Sequence, residues 1–88
     1  MSWSRDDVIT QVQAIIRTHL EHDVAITLDT QLVADLGIDS LGVMEVVADI
    51  EDAFNLTIAD AELRHIVSFG EVVDSIVSRL SQRGGLSE

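Results

Sequence analysis

Ser40 is the residue of this sequence best placed to do chemistry, and it lacks the company a catalyst needs. It lies in Asp35-Leu36-Gly37-Ile38-Asp39-Ser40-Leu41, where a Gly closes a loop and an Asp-Ser pair opens an amphipathic segment. Asp and Ser are common helix caps, so spacing alone favours a plain helix start. A nucleophile elbow needs Gly-x-Ser-x-Gly on a strand-to-helix turn. Here Ile38-Asp39-Ser40-Leu41-Gly42 lacks the first Gly, and no strand is predicted before it. A triad also needs a positioned His. His19 and His22 fall near the end of one predicted helix and His65 in a short one, where each reads as a surface or half-buried residue. A hydroxyl with no base of its own is a poor nucleophile at neutral pH. It is still an attachment point if another enzyme supplies the base. A phosphate placed there would meet unpaired backbone N–H groups and the positive end of a helix dipole. The pattern reads as a modification site rather than an active site.

Other chemistries find less support. The chain has no Cys, which excludes disulfides, zinc-thiolate sites and a thiol nucleophile of its own. Asp35 and Asp39 are separated by Leu, Gly and Ile, which fails the calcium-loop pattern. His19 and His22 are three apart with no evident third metal ligand. No metal site is expected.

Charge is more informative. The 16 acidic residues outnumber the 5 basic ones, for a formal net charge of −11. That argues against nucleic acid and against an anionic membrane surface, both of which select Lys and Arg. Asp35, Asp39, Glu45, Asp49, Glu51, Asp52, Asp60 and Glu62 form a stretch with no base among them. Such a run is usually a solvated helix face. Here it surrounds Leu41 and Met44, which the periodicity leaves outside the core stripe, and exposed aliphatics ringed by acids suit a basic protein partner.

The elements that must position these residues are helices. With 88 residues the chain makes one domain with one modest core, here expected over residues 1–88 with an ordered part at about 5–82 and a tail at 83–88. Val8, Ile9, Val12, Ile15, Ile16 and Leu20 predict a first helix from about Arg5 to about Leu20, capped by Ser4. Periodicity then lapses from Glu21 to Asp39. Val24, Ile26, Leu28, Leu32, Leu36 and Ile38 argue that this loop lies across the helices with its Leu residues buried, and Thr30 is placed to cap a short turn. Val43, Val46, Val47, Ile50 and Phe54 form the core stripe of a second helix that starts at Asp39-Ser40 and ends at a left-handed Asn55. A short helix is predicted over Asp60–Ile66 with Asp60 as its cap. Ser68-Phe69-Gly70-Glu71 reads as the capping box of a last helix to about Gln82, stopped by Gly84-Gly85. The fold class is therefore all-α: a small bundle of three main helices plus one short helix, with a long first loop. No apolar run approaches the ~20 residues of a membrane span. The N-terminus turns acidic without a signal-peptide core, so a soluble, cytoplasmic protein is expected.

Taken together, Asp35-Leu36-Gly37-Ile38-Asp39-Ser40-Leu41, Glu45 and Ile50-Glu51-Asp52-Ala53-Phe54 resemble the acyl carrier protein family. Ile26 to Leu32, Leu56 to Leu63 and Ser68 to Val73 extend the resemblance over about residues 5 to 82. The resemblance implies that Ser40 carries 4′-phosphopantetheine, added from coenzyme A by a Mg²⁺-dependent phosphopantetheinyl transferase. The terminal thiol of that arm would hold acyl groups as thioesters. The other partners implied are a ketosynthase, an acyltransferase or acyl-activating enzymes of fatty-acid or polyketide synthesis. The chain would be a monomeric carrier and substrate of those enzymes, not an enzyme itself. Asp39 would sit in the transferase contact; Leu41, Met44 and Glu45 would match the partner-recognition positions, with Asp49, Glu51 and Asp52 extending the acidic edge. The core stripe would form part of an interior that shelters a bound chain in some members. Gly42, Ala59 and Asp49 depart from common family patterns. An aminoacyl or peptidyl carrier is the nearest alternative, although the Leu36-Gly37-Ile38 lead-in favours the acyl type. An unmodified acidic helical adaptor is the alternative of another class. Met1 and the short tail after Gln82 favour a free-standing protein over a synthase segment.

Overall fold

The helices begin where side-chain oxygens are available to satisfy their first N–H groups. In a computed structural model that describes residues 3–21, 23–82 and 84, α1 spans Arg5–Arg17, α2 Ser40–Phe54, α3 Asp60–Leu63 and α4 Phe69–Gln82. Ser4 Oγ accepts from the Asp7 N–H at 3.0 Å, and Asp7 Oδ2 accepts from the Ser4 N–H at 3.2 Å. This reciprocal pair satisfies two donors that a bare helix end would leave without partners. Ser68 and Glu71 do the same for α4: Glu71 N–H donates to Ser68 Oγ, and Ser68 N–H donates to Glu71 Oε1 at 3.0 Å.

The Ser68 N–H, aided by the Ser68 hydroxyl and the Val67 N–H, holds the Glu71 carboxyl below its usual value against the opposing effect of desolvation. A group whose folded pKa is depressed stabilises the fold above its unfolded pKa, and that contribution is lost as pH falls through the folded value. Glu71→Gln is therefore expected to lower the melting temperature at neutral pH. The gap from the unsubstituted chain should close as pH drops below the usual glutamate value of about 4.3; circular-dichroism melts across that range measure it.

Three helix ends differ from expectation. The first helix was expected to reach Leu20, but α1 stops at Arg17. The Thr18 hydroxyl donates to the Ile15 carbonyl at 2.7 Å, and His19 and Leu20 donate to carbonyls three residues back. The last turn thus tightens out of α geometry. The short helix ends at Leu63 rather than Ile66, and its N-cap is Ala59 rather than Asp60. The Ala59 side chain offers no capping oxygen, and α3 is one brief turn with no fully buried residue of its own. Asn55 ends α2 at φ 52°, ψ 54°, the expected left-handed cap. The predicted tail at residue 83 and residues 85–88, with Gly85, lies outside the described residues, as does His22.

α1 packs against both α2 and α4. Val8, Val12 and Ile16 from α1, Val46, Ile50 and Phe54 from α2, and Phe69, Val73, Ile76 and Leu80 from α4 are almost wholly removed from solvent. Trp3 lies over Phe54 with ring centroids 4.6 Å apart. Each buried aliphatic contributes roughly 1.5–3 kcal/mol, so a core poor in aromatics still drives folding. Among the described residues no helix is long and apolar enough to cross a membrane.

The long loop is tied down along its length. Gln13 Nε2 donates to the Ile26 carbonyl at 3.0 Å. Phe69 N–H donates to Thr30 O at 2.8 Å, Gly70 N–H to Leu28 O at 2.9 Å and Leu32 N–H to Val67 O at 3.0 Å. Ile26, Leu32 and Ile38 are buried and Leu36 is half-buried, while Val24 and Leu28 remain exposed. Burial of the loop thus falls mainly on its Ile residues and Leu32 and does not include every Leu. The Thr30 hydroxyl binds back to the Thr27 N–H at 2.9 Å, closing the preceding turn.

Candidate functional site

The attached loop delivers Ser40 to the surface. Gly37 takes φ 70°, a conformation that L side chains rarely adopt, and the chain reverses there. Ile38 then turns into the core while its N–H donates to Leu32 O at 3.2 Å. Asp39 follows as the N-cap, its Oδ1 accepting from the Gly42 N–H at 2.8 Å. Ser40 is thus the first helical residue and exposed. Its hydroxyl makes no hydrogen bond among the described residues.

Gly42 closes this corner. A Cβ there would lie 2.7 Å from Ile38 Cγ2 and 3.3 Å from Asp39 Oδ1. Because Cγ2 sits directly on a β-branched, buried carbon, the clash can be relieved only by turning Ile38. Overpacking of that kind costs roughly 1–3 kcal/mol, against a gain of at most ~1 kcal/mol from replacing Gly in a helix. Gly42→Ala is therefore expected to lower stability by about 1 kcal/mol in urea unfolding, although helix propensity alone predicts an increase.

No histidine hydrogen-bonds Ser40 among the described residues. The His19 ring pairs instead with Asp49, Nε2 to Oδ2 at 2.7 Å, and lies 3.8 Å from Glu45. His65 is exposed beyond α3. The acidic stretch is less open than its sequence suggests. Asp35 Oδ2 accepts from the Gln31 N–H at 2.8 Å, and Glu51 Oε2 accepts from the Ile58 N–H at 2.9 Å. Glu62 takes up the Ser75 hydroxyl and the Arg79 guanidinium, clasping α3 to α4. Asp52 and Asp60 are exposed with no bond from their side chains among the described residues. Leu41 and Met44 are 65% and 63% exposed, so the outward apolar pair predicted from periodicity is present.

An open groove of about 450 Å³ runs from Ser40 between α2 and α3, lined mainly by Val33, Val43, Met44, Leu63 and Ile66. No feature of sequence spacing pointed to it, because its walls come from three separate segments. The exposed, uncommitted hydroxyl and the first N–H groups of a 15-residue helix suit a phosphodiester on Ser40. The groove beside it offers apolar cover.

A family model described as "Phosphopantetheine attachment site" matches residues 10–83. An acyl carrier protein from an Exiguobacterium species is 37% identical over 78 residues, covering 88% of this chain and 99% of its own length. The chain belongs to the acyl carrier protein family. The acyl carrier protein of Thermotoga maritima is 35% identical over 78 residues, covering 88% of this chain and 96% of its own. The structure of the Enterococcus faecalis acyl carrier protein superposes with a TM-score of 0.74 at 35% identity, covering 86% of this chain and 98% of that one. As an acyl carrier protein the chain works with 4′-phosphopantetheine, which supplies a terminal thiol to hold acyl groups as thioesters. The carrier needs no thiol of its own, which accounts for chemistry of this kind in a chain without Cys.

Proposed function

We propose that Ser40 is the attachment residue of this carrier, and that the surface around it is read by a phosphopantetheinyl transferase and by enzymes of fatty-acid or polyketide synthesis. The exposed Ser40 hydroxyl, without a hydrogen bond among the described residues at the start of α2, carries the reading. In the loading step the Ser40 Oγ–phosphorus bond forms and the phosphoanhydride bond of coenzyme A breaks. The adenine nucleotide leaves, and the serine proton passes to a base on the transferase, since no base of this chain bonds the Ser40 hydroxyl among the described residues. Asp39 holds the corner that presents the hydroxyl.

Leu41 and Met44 supply the apolar centre of the docking surface, and Glu45, Asp49 and Asp52 its acidic rim. Asp39 and Glu51 add charge while keeping their backbone bonds. Charge on such a rim acts mainly on association rate, which suits a carrier that must leave each partner quickly. The same reading makes the chain a single, monomeric, cytoplasmic carrier domain whose catalysis is done by others.

The test is incubation with coenzyme A and a broad-specificity transferase, followed by intact-mass and peptide mass spectrometry. One phosphopantetheinyl group is expected, on the peptide containing Ser40. Glu45→Lys should slow loading by roughly threefold to tenfold at low salt with helicity unchanged, and the difference should shrink at high salt. A chain that stays unmodified while a control carrier is loaded would overturn the proposal.

A further inference from the structure

Arg64 differs from the other described arginines. Arg5 pairs with Asp74 at 3.0 Å, Arg17 with Asp23 at 3.5 Å, and Arg79 with Glu62. Arg64 is exposed, and its side chain has no ion pair or hydrogen bond among the described residues. It caps the C-terminal end of α3 and lines the groove that starts at Ser40. The other charged residue of that lining is Asp60.

A phosphodiester on Ser40 would add a permanent negative charge beside Asp39, in a chain already at −11. The Gly42 N–H is already taken by Asp39, so the helix start offers less than its full set of donors. A cation on the opposite wall offsets the added charge. A guanidinium suits the task, because its planar fork meets two phosphate oxygens at once. Of the anionic groups that an arm and its cargo could bring, the phosphodiester alone is bonded directly to a residue of this groove.

We infer that Arg64 is the counter-ion of the phosphodiester at Ser40 and draws the first bonds of the arm across the groove toward α3. The inference rests on Ser40 as the attachment residue. It gives the arm a preferred starting direction, over Leu63 and Ile66, set by a charge at the C-terminal end of α3.

The test compares the full-length chain with Arg64→Gln and Arg64→Lys, each as the unmodified protein and as the free-thiol loaded form. Mass spectrometry comes first: no added mass overturns the Ser40 reading itself. With the arm in place, Arg64→Gln is expected to shift the ³¹P resonance of the phosphodiester. It should also lower the melting temperature of the loaded form by about 1–5 °C at low ionic strength while leaving the unmodified form unchanged. Arg64→Lys should retain part of both effects, and both should fade toward 1 M salt. Three results would overturn the inference alone. The loaded form could ignore Arg64→Gln in both readouts. Both forms could lose equal stability, which would make Arg64 a structural residue. The response could emerge only when the arm bears an acyl group with its own carboxylate, which would assign Arg64 to cargo.

Discussion

Ser40→Ala is expected to give a folded protein that cannot be loaded. The change removes the one atom to which the arm would be joined, so the product detected by intact mass should fall from one group per chain to none. The fold should hardly notice. Asp39, not Ser40, caps α2, and the Ser40 hydroxyl makes no hydrogen bond among the described residues. Exposed substitutions of this kind usually stay within about 0.5 kcal/mol, and Ala is a better helix former than Ser. A matched melting temperature with complete loss of loading separates attachment from a structural role. Addition of the group to Ser40→Ala would place the attachment elsewhere.

Phe69→Ala should have the largest effect on stability. The ring is wholly buried where α4 meets the long loop, and the N–H of the same residue holds Thr30 O at 2.8 Å. Truncating a buried Phe costs about 3–5 kcal/mol, out of the roughly 5–15 kcal/mol that holds a small domain together. Each kcal/mol moves the melting temperature of a domain this size by about 4–8 °C. A drop of about 15 °C or more is expected in calorimetry, and loading should slow as the population with a fixed loop declines. A drop below about 5 °C would mean that the core does not close around this residue.

What was legible in the sequence was local. Ser4, Asp39, Asn55 and the Ser68–Glu71 pair mark helix ends through contacts within a few residues, and the structure uses each of them. The stripe of Val46, Val47, Ile50 and Phe54 is buried as its spacing required, with Val43 at the groove edge. Ser40 opens α2, as its motif predicts. What escaped depends on neighbours distant in the chain. Helical periodicity says that Asp49 faces outward but not that His19, thirty residues away, meets it. It cannot reveal that Glu62 reaches Ser75 and Arg79, or that Glu51 serves the Ile58 N–H. Several acids that looked like a uniform rim are therefore spent on tying elements together. Gly42 departs from common family patterns for a reason that helix periodicity cannot show: the γ-methyl of Ile38, in the preceding loop, occupies the space a Cβ would need.

The two sides of the groove have unequal standing in the molecule. Its inner side belongs to α2, rooted in the interior by Val46, Ile50 and Phe54. Its outer side is the single turn of α3 and the residues after it, held by half-buried Leu63 and Ile66 and by the Glu62 carboxylate. On the Ser40 reading, a shift of that outer side is expected to disturb the packing less than a shift of α2, whose side chains are fixed in the core.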